Sequence, residues 1–537
     1  MSPEVKDAHR EHRSLVEAAG IVSAFTMLSR LLGLVREQAF ALLLGAGLHA
    51  DAFQAAFRVP NLLRDLFAEG ALSAAFVPTY ARTAQAEGPD AAHRLANRVL
   101  TLLAVILGLL VLVGFLLAGP LVSALAPGYE AIPGKAELTR RLTRVMLPFL
   151  PLVSFAAVAM GILNAQERYR APALAPAMFN VVTILWAVLL WSLGLPPDRV
   201  ALGWAAGTLL GGAAQLLIQV PPLRRGGWRF RWDWAPRDPG IRRLGSLMLP
   251  ATVGLAAVQV NIFVSTRFAS HEPGAVSWLM YAFRILYLPI GIFGVAVGTI
   301  AATGLARRAA QGDTEGLRST LRQALRTLAF LTIPATAGLW VLGVPIVRLL
   351  YERGRFDAHD TLSTANALGF YALGLVAYTG VKVLAPAFYA LGAPRVPLLA
   401  SATAVATNLL VIAALHEPLG YRGVALGTSL GSLANAAILV FVFERRIGGL
   451  VDRDMLAGLG KMILASAGMA VLVLGCVTAL EARLGSRGLL AQLAVGLLPL
   501  IAGIGAYAGA ARLLGLADVG VILAAVRRRP PAPGPEP

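Results

Sequence analysis

The sequence predicts an all-α polytopic membrane protein with about 14 transmembrane helices. Its 537 residues are 57% hydrophobic and only 14% charged, and the mean hydropathy is +0.69. A soluble domain does not carry so much apolar side chain. Apolar segments of roughly 20 residues or more recur along the chain, which is the length that a helix needs to cross about 30 Å of hydrocarbon. The charged start, Met1 to Ser14, is expected to be a short cytoplasmic lead-in.

Fourteen predicted spans follow one another with short connections. The first six cover residues 15–45, 52–82, 97–125, 140–166, 172–194 and 199–222. The next six cover residues 241–270, 275–306, 318–350, 361–391, 394–416 and 420–443. The last two cover residues 455–481 and 487–514.

Lysine and arginine are distributed unevenly between the two sets of loops. The lead-in, the even-numbered loops and the tail hold about 27 of them, against about 9 in the opposite set. Because cytoplasmic loops carry the excess of basic residues, both termini are predicted to be cytoplasmic. The net charge of +18 therefore does not indicate nucleic acid binding. The segment Gly226 to Trp234, GGWRFRWDW, is typical of a loop anchored at lipid headgroups.

An internal repeat has a period of roughly 226 residues. Three matches occur in the same order: AFR at 56–58 and 282–284, RAP at 170–172 with RVP at 395–397, and FNVVTI around Asn180 with TNLLVI around Asn408. They predict an N-terminal lobe at 1–225 with spans 1–6 and a C-terminal lobe at 226–447 with spans 7–12. Residues 448–537 would add spans 13 and 14 and a basic, proline-rich cytoplasmic tail. Transporters commonly bind substrate between two such repeats.

Charged side chains concentrate in the first, second and eighth spans. They are Arg30, Arg36, Glu37, Arg58, Arg64, Asp65, Glu69 and Arg284. An arginine at the bilayer centre costs about 2.5 to 3.5 kcal/mol, so four of them facing lipid would cost on the order of 10 kcal/mol. We therefore expect these groups to face a water-filled cavity. Pro60 is expected to interrupt the second span between Arg58 and Arg64, since a broken or kinked helix is common where a transporter binds its substrate.

Spacing places several of these charges on common faces. Arg30 and Arg36 lie about 120° apart around a helix and can line one broad cavity wall. Asp51 and Arg58 are seven residues apart and share a face. The alternative is that these groups pair with one another and with backbone carbonyls as interhelical fasteners. Cations outnumber anions, however, and arginine suits bidentate phosphate binding, so the set favours an anionic cargo.

No enzymatic machinery is visible in the sequence. A G-x-x-x-x-G-K-[ST] loop is absent, and none of the four lysines, Lys6, Lys135, Lys382 and Lys461, sits in a phosphate-cradling loop. The sequence also lacks H-E-x-x-H, a G-x-S-x-G elbow and a paired-carboxylate site. We expect a transporter without a cofactor.

The long block from Ser29 to Tyr80, SRLLGLVREQAFALLLGAGLHADAFQAAFRVPNLLRDLFAEGALSAAFVPTY, resembles the MurJ/MviN family of bacterial lipid II flippases. This family belongs to the superfamily of multidrug, oligosaccharidyl-lipid and polysaccharide exporters. SWLMYAFR and GVAVGTI within Ser277 to Ile300, and GRFDAHDT through AFYALGAPRVP at Gly354 to Pro397, extend the resemblance over nearly the whole chain.

The resemblance implies two six-helix lobes around a central cavity that opens alternately to the cytoplasm and the periplasm. It also implies a groove beside the thirteenth and fourteenth helices for a polyprenyl tail. The cargo would be lipid II, the undecaprenyl-diphosphate-linked disaccharide pentapeptide of peptidoglycan. The location would be the cytoplasmic (inner) membrane, and membrane lipids and wall-synthesis enzymes would be candidate partners.

The resemblance also carries over site residues, position by position. The family's essential arginines match Arg30, Arg36, Arg64 and Arg284, its acidic residue before the second span matches Asp51, and Glu37 stands where relatives carry an acid. Arg58 joins them as a substrate-binding candidate through the face that it shares with Asp51.

Two departures from the family concern the second lobe. Phe283 stands where many relatives have aspartate, and Tyr287 where some have glutamate. Some relatives are thought to bind sodium among the seventh, eleventh and twelfth helices, but these predicted spans contain no Asp or Glu. The remaining weak candidates for a cation are Ser265, Asn408 and Thr428, and a hard cation without a carboxylate would be held weakly. Coupling to the membrane potential, to protons or to another monovalent cation stays open.

Two alternative functions remain at this stage. The first is an exporter of another polyprenyl-linked saccharide or of drugs, although drug exporters usually have twelve spans and carboxylates for cationic cargo. The second is a membrane scaffold that gathers wall-building enzymes, which would tolerate cavity mutations and fail on surface-loop mutations.

Overall fold

The computed structural model describes residues 3–64 and 71–516, and it leaves out the side chains of residues 3–19, 21, 63, 71, 73, 74 and 249–258. Every regular element in these residues is helical, which confirms the predicted fold class. Within residues 3–64 and 71–516, ten helical segments are long and apolar enough to cross a membrane, or eleven if the bent pair Ala358–Ala372 and Leu375–Ala390 counts as one span. The predicted count of 14 is consistent with this result. Asp65 and Glu69 lie outside the described residues.

The chain divides into two compact units. The first comprises Met1–Ser277 together with Arg353–Phe356, and the second comprises Trp278–Glu352 and Asp357–Pro537. These units are defined by contacts and the predicted lobes by sequence similarity, so the division into lobes at 1–225, 226–447 and 448–537 stays a prediction.

Eleven helices lie within the first unit. They are α1 (Pro3–Leu44), α2 (Leu48–Arg64), α3 (Ala71–Glu87), α4 (Pro89–Leu116), α5 (Ala118–Leu125), α6 (Lys135–Met146), α7 (Phe149–Ala165), α8 (Arg170–Ser192), α9 (Pro197–Leu217), α10 (Val220–Arg225) and α11 (Pro239–Ala269).

The boundary between the units falls inside α12 (Ala275–Pro289). The helices that follow are α13 (Ala296–Ala310), α14 (Thr314–Val341), α15 (Gly343–Tyr351), α16 (Ala358–Ala372), α17 (Leu375–Ala390), α18 (Arg395–Leu419), α19 (Tyr421–Arg446), α20 (Arg453–Leu484) and α21 (Leu489–Leu513).

Observed helices match the predicted spans most closely where a span is one uninterrupted helix. The predicted spans 172–194 and 420–443 correspond to α8 and α19. Other predicted spans are divided: the third consists of α4 and α5, and the eighth contains a π-helical turn, Ile290–Val295, between α12 and α13. Pro289, which has no backbone N–H, directly precedes that turn.

The second helix is not broken at Pro60, whereas a kink at this residue stays a prediction. Helix α2 continues through Pro60 to Arg64. A proline inside a helix removes one backbone hydrogen bond and kinks the helix more often than it ends it.

The core of the first unit is built where α3, α4 and α7 meet. Phe76, Leu107, Leu150 and Ile162 are buried there. A Cβ atom at Gly161 would lie 2.8 Å from the Phe76 ring, so the absence of a side chain at Gly161 allows α3 and α7 to approach closely.

The second unit has two buried clusters. One joins α13, α14, α17 and α19 around Leu321, Phe388 and Phe443. The other joins α14 to α20 and α21, where the Tyr507 hydroxyl donates a 2.9 Å hydrogen bond to the Phe330 carbonyl oxygen. Within this unit, the last two helices therefore pack against α14.

Candidate functional site

Asp51 lies in the first turn of α2 and is completely buried. Its Oδ2 accepts hydrogen bonds from Lys135 Nζ and the Gly274 N–H, both at 2.7 Å. Its Oδ1 accepts from the Ser277 N–H at 2.9 Å and from Ser277 Oγ at 2.7 Å. Four donors occupy this carboxylate, so Asp51 fastens helix ends together and does not face open space in this conformation.

Lys135 is the counter-ion of Asp51 and is also completely buried. Its ammonium lies 4.1 Å from the centre of the Tyr129 ring, and the Tyr129 hydroxyl donates a 3.2 Å hydrogen bond to the Asp51 carbonyl oxygen. Burial raises the pKa of Tyr129 well above its usual value, the Asp51 carboxylate raises it further, and the Arg58 guanidinium lowers it. The phenol therefore stays neutral and remains a donor.

Two loops beside this pair make close backbone contacts through glycine. Gly128 lies against Ser270 and His271, and Gly354 lies against Leu42; a Cβ atom at either position would overlap a carbonyl oxygen. The Gly128 N–H donates to Ser270 Oγ at 3.2 Å, and the Arg355 N–H donates to the Leu42 carbonyl oxygen at 3.1 Å. Both contacts lie within the first compact unit. Gly128 and Gly354 are separated by 226 residues, the period predicted from the sequence.

Arg36 on α1 is held in place by two neighbours. Its Nη2 lies 2.6 Å from Glu37 Oε1, and the two side chains are 21% and 13% exposed. Its guanidinium carbon lies 5.2 Å from the centre of the Phe179 ring on α8. A planar guanidinium held by one carboxylate and one aromatic face keeps further N–H donors for another anion.

Helix α1 is also hydrogen-bonded to α8 at Ser29, one turn before Gly33. Asn180 Nδ2 donates to the Ser29 carbonyl oxygen at 3.0 Å, and a Cβ atom at Gly33 would lie 3.8 Å from the same nitrogen. Arg30 follows Ser29 and is exposed. The contact fixes the position of α1 near both Arg30 and Arg36.

The other predicted arginines differ in exposure. Arg58 and Arg64 on α2 are half-buried, and Arg284 on α12 is exposed. Arg30, Arg36, Arg58 and Arg64 belong to the first unit and Arg284 to the second. Their predicted role in substrate binding stays a prediction.

Arg284 directly follows Phe283, which belongs to an aromatic side-chain cluster within the second unit. Phe283 packs edge-on against Tyr371, with ring centres 5.4 Å apart, and lies 6.2 Å from Tyr287. The Phe283 side chain is thus used in packing.

The weak cation candidates Asn408 and Thr428 lie on the neighbouring helices α18 and α19. Thr428 Oγ1 donates to the Val424 carbonyl of its own helix at 2.9 Å. Asn408 on α18 is buried against α19, where a Cβ atom at Gly427 would lie 2.6 Å from Asn408 Oδ1. Ser265 lies in the first unit and the other two in the second, and cation binding by these residues stays a prediction.

One group of carboxylate and imidazole side chains was not anticipated. Asp357, His359 and Asp360 have ligand atoms within 4.8 Å of one another, the single such group of three in residues 3–64 and 71–516. Two of its members already serve the fold, because Asp357 caps α16 and Asp360 Oδ1 accepts a 2.9 Å hydrogen bond from Trp278 Nε1.

Sequence reasoning identified Asp51 but missed its counter-ion Lys135 and the neighbouring Tyr129. Two features of the sequence could have pointed to Lys135. It is one of only four lysines among 47 basic residues, and it lies just before a predicted span, outside the arginine-rich loops.

Comparisons with known proteins agree over most of the chain. A family model described as "Lipid II flippase MurJ" matches residues 40–494. A "Probable lipid II flippase MurJ" of Rhizobium meliloti (strain 1021) is 35% identical over 520 residues, covering 96% of this chain and 97% of the relative. The "Lipid II flippase MurJ" of Burkholderia cenocepacia is 35% identical over 449 residues, covering 81% of this chain and 84% of the relative.

Solved structures agree on the fold. A lipid II flippase MurJ in an inward closed conformation has a TM-score of 0.75 at 24% identity and covers 94% of this chain and 99% of its own. An inward-facing multidrug resistance transporter of the MATE family has a TM-score of 0.65 at 18% identity, with 80% and 98% covered. Taken with the family model and the relatives above 30% identity, these matches show that the chain belongs to the lipid II flippase MurJ family.

Proposed function

We propose that this protein moves lipid II, the undecaprenyl-diphosphate-linked disaccharide pentapeptide of peptidoglycan synthesis, from the cytoplasmic to the periplasmic leaflet of the bacterial inner membrane. The observation that carries the proposal is the family match over residues 40–494. Relatives that cover nearly the whole chain bear the name lipid II flippase. In this proposal the protein is a transporter, and it catalyses no covalent chemistry.

The residues proposed to bind the diphosphate are Arg30, Arg36, Arg58, Arg64 and Arg284. Arginine binds phosphate oxygens in a bidentate manner and stays charged at any physiological pH. Glu37 orients Arg36 through their 2.6 Å contact, and Asp51 acts indirectly by holding the start of α2.

Transport would proceed by alternating access, with both termini in the cytoplasm. The sequence has no nucleotide-binding loop, so the proposed energy source is the membrane potential or a monovalent cation. Wall-synthesis enzymes are proposed as partners because they make and consume lipid II.

The decisive experiment depletes the protein in its host and measures the lipid II that a periplasm-confined reagent can reach. We expect total lipid II to rise and the accessible fraction to fall, with rescue by the wild type and not by Arg36→Ala. Replacement by alanine removes a phosphate ligand at a partly exposed position, so the variant should reach the membrane in normal amount. Quantitative immunoblotting of membranes checks this amount.

Arg483→Ala is the matched control, because Arg483 is an exposed arginine at the end of α20. It should rescue fully. If Arg36→Ala also rescues, Arg36 does not bind the diphosphate. If depletion leaves accessible lipid II unchanged, the export of another polyprenyl-linked saccharide or of drugs becomes the better proposal.

A further inference from the structure

A cavity of about 800 Å³ lies within the first compact unit, and none of the proposed lipid II ligands lines it. It is bounded by Leu100 of α4, Phe155 of α7 and Leu216 of α9, and it is closed on one side by the linker 226–238 that joins α10 to α11. Its volume falls in the range of small-molecule sites, about 300–1,000 Å³. The walls can therefore hold an apolar chain.

Three polar groups stand at this cavity without a protein partner in the described part of the chain. Trp228 is 8% exposed, and its Nε1–H reaches no acceptor there. Arg224 and Arg229 also line the cavity and are exposed; no ion pair joins either guanidinium to another described residue. A buried indole N–H without an acceptor is costly, since such a donor normally finds a partner.

The linker that carries these groups is held in a defined position along α4. Arg98 binds Asp233 Oδ2 through Nε at 2.9 Å and Asp238 through its Nη1. Asn97 Nδ2 donates to the Arg229 carbonyl oxygen at 3.2 Å, and the Asp233 N–H donates to Thr101 Oγ1 at 3.1 Å. The cavity is therefore formed before any ligand enters.

We propose that this cavity binds an anionic phospholipid of the cytoplasmic leaflet. One acyl chain would occupy the apolar walls, the phosphate would lie against Arg224 and Arg229, and Trp228 Nε1 would donate to a lipid oxygen. A soluble anion would leave the apolar walls of the cavity exposed to water. A zwitterionic lipid carries no net negative charge to pair with the two arginines. Basic pockets between membrane helices on the cytoplasmic side are suited to anionic headgroups. The exposed Phe230 and Trp232 beside the cavity are typical of side chains at the headgroup level.

This site can be tested on the purified full-length protein in detergent. The probes are phosphatidylglycerol and phosphatidylcholine with identical acyl chains, and native mass spectrometry counts the lipids retained per chain. We expect one phosphatidylglycerol to be retained preferentially. Arg224→Gln with Arg229→Gln should weaken its association constant roughly thirtyfold, the loss expected when two basic side chains near the surface are neutralised.

Two further variants separate site chemistry from general charge. Arg225→Gln with Arg231→Gln removes the same charge from the same helix and linker, but these side chains do not line the cavity, so retention should be unchanged. Trp228→Phe keeps an aromatic side chain, though a smaller one, and removes the N–H, and it should weaken retention several-fold. All replaced arginines are exposed, and an unchanged midpoint of thermal unfolding verifies the fold.

Three results would overturn the proposal. They are equal retention of phosphatidylcholine, equal loss in the control pair, and displacement of phosphatidylglycerol by an equimolar isoprenyl phosphate. The last result would assign the cavity to a polyprenyl lipid. None of them bears on the transport of lipid II, which the accessibility experiment tests separately.

Discussion

The side chains of Asp51 and Lys135 are both completely buried. A buried charge without a partner costs several kcal/mol. The cost is offset here because the carboxylate accepts four hydrogen bonds and the ammonium lies against the Tyr129 ring. Such a pair stabilises a protein little compared with a well-packed apolar pair, but it allows only one arrangement of its partners. We infer that it fixes the start of α2 against α6 and residues 274–277.

Removing one member of this pair should be more damaging than removing both. Lys135→Met leaves a buried carboxylate without its counter-ion and should destabilise the protein by about 3–5 kcal/mol. Asp51→Asn with Lys135→Met should recover a large part of that loss. Thermal unfolding of both single variants and the double variant in detergent gives the coupling energy. Strictly additive effects would mean that the two charges do not depend on each other.

Tyr129 should make stability depend on pH in the alkaline range. In the unfolded chain its hydroxyl loses a proton near pH 10, whereas burial and Asp51 raise its folded pKa well above that value. The unfolded state then binds fewer protons, so the contribution of Tyr129 to stability is unchanged well below about pH 10 and falls as the pH rises through and beyond that value. Tyr129→Phe should show a smaller fall between about pH 9.5 and 11.5. Equal slopes for both proteins would contradict this assignment.

At the scale of helices, close packing depends on residues without side chains. Helices α18 and α19 are in close contact at Gly427 and Gly431. A Cβ atom at Gly431 would lie 2.6 Å from the Ala404 carbonyl oxygen, which is backbone and cannot turn aside. Small residues of this kind let membrane helices reach van der Waals contact.

Gly431→Ala should therefore lower stability by about 1–3 kcal/mol through overpacking. Gly468→Ala on α20 is the control, since nothing lies within 4 Å of its Cβ position. The control should be neutral or more stable by up to about 1 kcal/mol because alanine is the better helix former. The measurement is the midpoint of thermal unfolding of each variant relative to the wild type. An equal change in midpoint for both variants would exclude the packing explanation.

Much of the helical architecture could be predicted, because hydropathy is a local property. The predicted span 172–194 became α8 (Arg170–Ser192) within two residues at each end. The π-helical turn at Ile290–Val295 could not be predicted, since apolar periodicity is the same on both sides of it. At the site, Arg36 and Glu37 could be found as charges within an apolar run. The pairing of Asp51 with Lys135 could not, because 84 residues separate them and only the fold brings them together.

At the scale of the whole molecule, the prediction that can be tested most directly is orientation. The asymmetry of basic loops predicts that residue 194 faces the periplasm and residue 312 the cytoplasm. Both are glycines in turns, with φ of +57° and +68° and nothing within 4 Å of the Cβ position. A cysteine side chain at either position therefore meets no neighbouring atom, but it adopts a left-handed backbone at a cost of about 1–2 kcal/mol.

A chain without native cysteine is obtained with Cys476→Ser, since Cys476 is the single cysteine. In intact cells a membrane-impermeant maleimide should label Gly194→Cys and should label Gly312→Cys only after lysis. Cys476→Ser alone is the unlabelled control. The reverse pattern would place the termini in the periplasm.

The contact between Asp51 and Ser277 can form only after both residues have been synthesised, which fixes the order of events during translation. Lys135 leaves the ribosome 84 residues after Asp51, and Ser277 leaves it 226 residues after Asp51. At about 5–20 residues per second, the carboxylate waits roughly 4–17 s for its counter-ion and roughly 10–45 s for its remaining donors. During that interval the start of α2 cannot reach its final packed position. Insertion must therefore leave this segment access to water until the first half of the protein has been made.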